Sequence, residues 1–227
     1  MARSAIFPYM NEHLLKMLKE SASAVHVDQD VRALDLFCGY YRELVIWNEK
    51  MNLVSVRTPQ EIIIKHFVDS LTPLPYIACP AGRLLDIGSG GGFPGIPLKI
   101  AVPSLSVALL EASRKKSSFL KHVIRRLPLP KTTVIHMRAE AAMQDSTYLH
   151  QFNTVISRAA FKLPQLFMMS RFFLSPGGLL IAMKGPHAEG DEKDAGVDSD
   201  LHRIACHDIR LPFNGGDRKI MLFQIDI

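Results

Sequence analysis

The chain reads as an α/β protein, a mainly parallel sheet with helices on both faces, preceded by a helical extension. Three observations predict this. Strand-like and helix-like stretches alternate from about residue 80 onward, the pattern that builds a parallel sheet. The first strand-like stretch runs into a glycine-rich loop, Gly88-Ser89-Gly90-Gly91-Gly92, and then a helix start. The first third carries helical spacings and no strand signal. With 227 residues, the expected layout is an N-terminal helical cap over 1–80 and an α/β core over 81–227.

In order, residues 11–19 place Leu14, Leu15 and Leu18 on one helical face. Asp30 can cap a second helix, in which Leu34, Phe37, Tyr41, Leu44 and Val45 recur at helical spacing up to about residues 47–53. Thr58-Pro59-Gln60-Glu61 is a helix start: a Thr cap, Pro at the first position and Glu three after the cap. That helix runs through Ile62, Ile63, His66, Phe67 and Leu71 until Pro73, Pro75 and Pro80 close it. Leu84, Leu85 and Ile87 form a strand covered on both faces, and residues 105–110 a second. Residues 113–127 read as a helix burying Phe119, Leu120, Val123 and Leu127. Strands follow at 132–137 and 153–156, then a helix at 163–173 with Met168 and Met169 in the core. Ser175-Pro176-Gly177-Gly178 turns into a fifth strand at 179–183. The acidic stretch 189–200 reads as a mobile loop. Two last strands, 203–211 and 219–225, flank a hairpin turn at Asn214-Gly215-Gly216.

The chemistry centres on the loop after the first strand. Gly88, Gly90, Gly91 and Gly92 permit tight turning and leave no Cβ to block a ligand. Ligands of open α/β sheets bind outside the carboxyl ends of the strands, where this loop lies. A dinucleotide fingerprint can be laid on Gly90, Gly92 and Gly95, which alone is weak evidence. Asp86, at the end of the strand, argues against it, because a carboxylate there repels a pyrophosphate. It suits instead the amino group and sulfonium of S-adenosylmethionine. Glu111 ends the second strand, where an acid accepts ribose hydroxyls in either cofactor class.

Composition bounds the rest. Hydrophobic residues make up 48% and charged residues 22%, enough for a real core. A net charge of +5 favours a polyanionic partner. On the helix at 113–127, Arg114, Lys115, Lys116, Lys121, Arg125 and Arg126 are either a solvated face or contacts to RNA phosphates. Cys38, Cys79 and Cys206 stand isolated, so neither a metal site nor a disulfide framework is signalled. Without a signal-peptide core or a run of about 18 apolar residues, a soluble cytoplasmic protein is expected.

Seven strands, the last two joined by a hairpin, with Asp86 and Glu111 ending the first two, is the layout of class I S-adenosylmethionine-dependent methyltransferases, a Rossmann-like fold. The resemblance is closer still. The chain resembles the bacterial small-subunit rRNA guanine-N7 methyltransferase family, also called glucose-inhibited division protein B. The carriers are Trp47-Asn48 with Asn52-Leu53, His66-Phe67-Val68-Asp69-Ser70, and above all Asp86-Ile87-Gly88-Ser89-Gly90-Gly91-Gly92-Phe93-Pro94-Gly95-Ile96-Pro97-Leu98. Arg138-Ala139-Glu140, Ser157-Arg158-Ala159, Lys184-Gly185 and Asp217-Arg218 complete them.

That resemblance implies S-adenosylmethionine held by Gly88, Phe93, Ala139, Glu140 and Arg158, and transfer to a guanosine in the decoding-region loop of 16S rRNA, as RNA or within the small ribosomal subunit. The residues permit N7 chemistry independently. The Asn/Asp-Pro-Pro-aromatic motif of exocyclic-amine enzymes is replaced by Ser157-Arg158-Ala159. Cytosine-C5 enzymes need a cysteine nucleophile, and Cys79 and Cys206 lie outside the expected loops. Ribose methylation needs a base, for which Lys184 lacks an acid partner at the end of the fourth strand. Guanine N7 needs none of these. Arg138, Arg158 and Arg218 are the arginines expected near the ligand end, where one can grip guanine's O6/N7 edge; Arg158 has the cofactor's carboxylate as an alternative. Arg114, Lys115, Lys121, Arg125 and Lys184 are the expected RNA contacts. His66 and Asp69, three apart on a helix, are expected to tie cap to core. No membrane partner, no metal and a monomer are expected. The rival readings are a non-enzymatic RNA-binding protein with a relict cofactor loop and an NAD-dependent oxidoreductase.

Overall fold

The computed structural model describes residues 9–55, 58–186 and 201–225. The acidic stretch 189–200, expected to be a mobile loop, lies outside the described residues. Among those described, one seven-stranded sheet runs in the order β3-β2-β1-β4-β5-β7-β6. Its strands are β1 (Arg83–Ile87), β2 (Ser106–Leu110), β3 (Thr132–Ile135), β4 (Phe152–Arg158), β5 (Leu174–Lys184), β6 (Leu201–Leu211) and β7 (Gly216–Ile225). The first five are parallel, and β7 enters antiparallel between β5 and β6. Strand order reverses between β1 and β4, which opens a crevice at their carboxyl ends.

Alternation along the strands builds two cores. Leu84, Leu109, Ile156 and Ile181 point to one face, where they meet α1 (Glu12–Ala24), α2 (Val31–Met51), α5 (Gly95–Ala101) and α6 (Arg114–Arg126). Leu85, Leu110, Val155 and Leu180 point to the other, beneath α7 (Ala139–Ala142) and α8 (Leu163–Phe173). Asn11, Asp30 and Ser113 cap α1, α2 and α6 with side-chain oxygens, each accepting a backbone N–H.

Four elements depart from the sequence reading. The helix starting at Thr58 begins as α3 (Pro59–Ile62), widens into a π-helix over Ile63–Val68 and ends as α4 (Asp69–Leu71). Ile62, Ile63, Ile64, Phe67 and Val68 are all buried, more of the circumference than an α-helical stripe covers. Met168 is 50% exposed, not core. The buried set on α8, Leu163, Leu166, Phe167, Met169, Ser170 and Phe173, faces the sheet and includes Met169 as expected, while Met168 falls on the opposite side. Strand β3 stops at Ile135, short of residue 137. Strand β5 starts early, but Leu174 pairs with Phe152 and Leu179 with Thr154, so residues 175–178 bulge out as the expected turn inside the strand.

Candidate active site

The glycine loop is tied down on both sides. The N–H groups of Gly88 and Ser89 donate to the Leu110 carbonyl at 2.9 and 3.1 Å, and Ser157 Oγ donates to the Ile87 carbonyl at 2.9 Å. Gly92 requires glycine twice over: its φ is +98°, and a Cβ would stand 2.4 Å from Ile96 and 2.9 Å from the Tyr40 hydroxyl. Gly90 is different. Its φ is +58°, yet a Cβ would meet nothing nearer than 3.9 Å, so its face is open to a ligand. The Tyr40 hydroxyl donates to the Gly91 carbonyl, and the Tyr40 ring stacks on Phe67 at 5.3 Å. The loop is thereby gripped from α2.

Two acids organise the loop. Asp86 is fully buried. Its Oδ2 accepts the Gly95 N–H at 3.0 Å, at the start of α5, and its Oδ1 has no hydrogen-bond partner. Burial pushes its pKa up to about 7, the Gly95 N–H and then the nearby Ser89 hydroxyl, which donates to the Asp86 backbone carbonyl at 2.9 Å, offsetting this only in part. Glu111 Oε2 accepts the Gly90 N–H at 2.8 Å and its Oε1 accepts the Ser113 N–H at 2.7 Å. That carboxylate holds the loop to the start of α6, and each oxygen keeps a lone pair to offer.

The π segment contributes the third part. Arg158, at the end of β4, donates from Nη1 to Asp69 Oδ2 at 3.1 Å and to the Lys65 carbonyl at 2.9 Å. Its Nη2 donates to His66 Nδ1 at 2.9 Å, and its guanidinium lies over the Phe93 ring at 5.1 Å. Arg218, at the start of β7, brings Nε to within 3.2 Å of Asp69 Oδ1. The Asp69 side chain is only 3% exposed. Accepting from Arg158 fixes His66 as the neutral tautomer with its proton on Nε2, and burial followed by the Arg158 charge lowers its pKa to about 3. His66 and Asp69 thus tie the N-terminal helices to the sheet.

The other expected residues sort by position. Phe93 is buried among Tyr40, His66 and Phe67, with Arg158 over its ring. Ala139 is buried and Glu140 exposed at the start of α7, beyond β3. Arg138 immediately precedes that helix, makes no side-chain cap bond to it and is exposed. Two strands separate β3 from β4, roughly 14 Å of sheet, so Arg138 does not join the Arg158–Arg218 pair. Arg114, Lys115, Lys121 and Arg125 are exposed on α6. Lys184, expected to contact RNA, is instead 9% exposed and donates to the Phe161 carbonyl at 2.6 Å, which makes it an anchor of the loop after β4. Among the described residues no group of three or more His, Cys, Asp or Glu side chains could hold a metal, and no helix is long and apolar enough to cross a membrane.

Sequence reasoning missed Tyr40, which it would have placed in a helix core on spacing alone. A buried tyrosine hydroxyl needs a partner, and that need was the available signal. It also missed that Asp69 serves two arginines from different strands, because nothing in local spacing reports a contact across 89 residues.

A parallel sheet reversed at β1/β4, an antiparallel β7, an open glycine at Gly90 and acids ending β1 and β2 define a class I S-adenosylmethionine-dependent methyltransferase. Solved structures share the fold. One is described as a predicted O-methyltransferase from Agrobacterium tumefaciens (TM-score 0.56, 18% identity, 66% of this chain and 76% of that one). Another is TYW2 of M. jannaschii in complex with AdoMet (TM-score 0.51, 15% identity, 67% and 72%). The family model described as rRNA small subunit methyltransferase G matches residues 33–209. Ribosomal RNA small subunit methyltransferase G of Syntrophus aciditrophicus is 42% identical over 213 residues, 92% of this chain and 88% of that protein. Its counterpart in Geotalea uraniireducens is 39% identical over 218 residues, 95% and 98%. The chain belongs to the rRNA small subunit methyltransferase G family. It is an enzyme, which sets aside the relict-loop and oxidoreductase readings.

Proposed function

We propose that this chain transfers a methyl group from S-adenosylmethionine to N7 of a guanosine in the decoding-region loop of 16S rRNA, directly and without a general base. The observations that carry the cofactor half are the unpartnered Oδ1 of the buried Asp86 at the end of β1 and the open face of Gly90 in the loop that follows it. A buried carboxylate oxygen without a donor is costly unless a ligand supplies one. S-adenosylmethionine supplies, when bound, an activated methyl on a sulfonium. Gly88, Gly90 and Gly92 cradle it, Glu111 offers its remaining lone pairs to the ribose, and Ala139 and Glu140 border the far side, with Phe93 backing the loop.

Three polar side chains of the β4/β5 side, His66, Asp69 and Lys184, are already committed. His66 Nδ1 accepts from Arg158, Asp69 faces two guanidiniums, and the Lys184 ammonium donates to Phe161. Attack by N7 releases no proton, so their commitment costs that reaction nothing. Methyl transfer then rests on proximity and alignment, which supply up to about 7–11 kcal/mol. The Asp217 carbonyl uses one of the five N–H donors of Arg218, and Asp69 holds it only as an ion pair at 3.2 Å, which leaves others for guanine's O6/N7 edge. Arg158 aligns the cofactor end. Arg138, on the β3 side, and the α6 cations Arg114, Lys115, Lys121 and Arg125 hold flanking phosphates. The working unit is a monomer whose residues 1–80 form a cap on the core of 81–227.

The test is product mapping. With labelled S-adenosylmethionine, the chain should methylate 16S rRNA, offered both as RNA and as small subunit. The product strand should become cleavable by reduction and aniline at one guanosine. A methyl on N2, on a ribose or on cytosine defeats the N7 reading.

A further inference from the structure

The turn between β6 and β7, residues 212–215, hangs over the ligand end of the sheet. Lys219 pairs with Lys184, the last residue of β5, so the residues before it project past the carboxyl ends of the parallel strands. The turn is firmly seated. The Gly215 N–H donates to the Pro212 carbonyl at 3.0 Å. A Cβ on Gly215 would stand 2.4 Å from Ile64 Cγ2 of the π segment and 2.8 Å from Leu211 Cβ, so the backbone rests against both.

Two side-chain-bearing residues in this turn, Phe213 and Asn214, hold left-handed backbone conformations at φ 51° and 55°. Glycine or asparagine fills such positions without strain; phenylalanine does not. The strained residue contributes little to the core, because Phe213 is 60% exposed. A guanidinium lies at the end of the same turn: a Cβ on Gly216 would lie 3.4 Å from Arg218 Nη1, and Arg218 is ion-paired with Asp69. An exposed aromatic ring on a seated turn, five residues along the same hairpin from a positioned arginine, offers the two groups that single-stranded RNA recognition uses: the ring stacks a base, and the arginine takes an edge or a phosphate.

We propose that Phe213 is the stacking platform for an unpaired base of the RNA substrate, adjacent to the guanosine presented to Arg218. This deepens the rRNA methyltransferase reading and rests on it. It gives the substrate a requirement that the cofactor site does not impose: the loop must offer a second splayed base next to its target. The strain at φ 51° is retained because the ring has work outside the fold.

The experiment uses the full chain and a 16S rRNA stem-loop transcript carrying the accepted guanosine, with 2-aminopurine at successive loop positions. Phe213→Leu keeps an apolar side chain but loses the π face. It should weaken RNA binding about 5- to 150-fold, the range that base–aromatic stacking spans. It should also abolish the fluorescence quenching at one loop position. Phe213→Trp should keep both. Cofactor affinity and the unfolding midpoint should stay at the parent's values in each variant, since the side chain faces solvent. Parental affinity in Phe213→Leu, or equal loss in the Leu and Trp variants, overturns the proposal. So does a Leu defect seen on the intact ribosomal subunit but not on the naked transcript, which would make the ring a protein contact. Failure of the parent itself to methylate the transcript and the subunit is the separate outcome that would bring down the underlying reading.

Discussion

Asp86 makes the most exposed prediction, because its charge state should be visible in cofactor binding. Burial raises its pKa from 3.8 to about 7. Between those two values the folded chain holds a proton that the unfolded chain has released. Stability therefore falls as pH rises from about 4 to 7 and levels off above. Three units correspond to roughly 4 kcal/mol at most, an order-of-magnitude figure for a fully buried group. A cationic ligand reverses the preference, since its ammonium and sulfonium favour the carboxylate and pull the pKa down. Binding below pH 7 must then expel up to one proton. S-adenosylmethionine affinity should climb up to about tenfold per pH unit from 5.5 to 7 and flatten by 7.5.

The assay is titration calorimetry at several pH values in buffers of different ionisation enthalpy, which counts protons released. Asp86→Asn keeps the shape and can still accept the Gly95 N–H. It should remove both the pH slope and the proton release, and at pH 7.5 lower affinity by the worth of a charge-assisted bond, about 1.5–3 kcal/mol or roughly 10- to 150-fold. An affinity flat from pH 5.5 to 7.5 in the parent, or an Asn variant binding as the parent does at pH 7.5, refutes the reasoning that the orphaned Oδ1 awaits the cofactor.

Other residues give sharper single outcomes. Glu111→Ala removes two charge-assisted bonds to Gly90 and Ser113, so it should cost about 1.5–3 kcal/mol of stability as well as weaken the cofactor, measured by thermal unfolding with and without ligand. Asp69→Asn leaves two guanidiniums facing a neutral amide; its unfolding midpoint and methylation rate should both fall, and parental values in both would show that the clamp is inert. His66, held neutral with a pKa near 3, contributes stability above its ordinary 6.5 that is lost as pH falls toward 3. Asp86 shifts stability the opposite way over the same range, so His66→Gln should make urea midpoints rise more steeply than the parent's as pH falls from 7 to 4. Lys121→Ala with Arg125→Ala should cut the salt slope of RNA binding by about 0.7–0.9 per lost contact; an unchanged slope would mean that α6 is merely solvated.

Much of the fold was legible because its signals are local. Asp30 and Thr58 sit where caps were expected and each accepts a backbone N–H, while Asn11 and Ser113, read as the first helical residues, turn out to be caps as well. The alternation of Leu84 and Leu85 between two cores follows from strand geometry alone. The glycine loop and its two acids were legible for the same reason, since loop, acid and strand end are contiguous. What was not legible is long-range. The widening at Ile63–Val68 depends on how many faces the sheet and α1 leave for burial, and no propensity encodes it. Lys184 reads as an RNA contact because charge carries no address; its partner is a backbone carbonyl 23 residues away. Met168 differs from Met169 only by which side of α8 it falls on.

The long-range contacts also bear on why the N-terminal helices exist at all. An α/β core can present a glycine loop by itself, yet here the loop's Gly91 carbonyl is held by Tyr40 and both arginines of the β4/β7 side are held by Asp69. Those groups all come from the first 70 residues. Arg158 and Arg218 are like charges brought toward one carboxylate, an arrangement that repels unless the acid between them is fixed. The π segment fixes it, and the hairpin carrying Arg218 rests on the same segment through Ile64 and Gly215. Cap and core therefore share one electrostatic joint, and that joint lies at the reacting end of the sheet. Loosening the cap should cost alignment before it costs the fold: a variant such as Ile64→Ala, which removes the hairpin's seat, should depress the methylation rate at temperatures where circular dichroism still reports native helix content. Rate and helix content falling together across the melt would show instead that the joint matters only as ordinary packing.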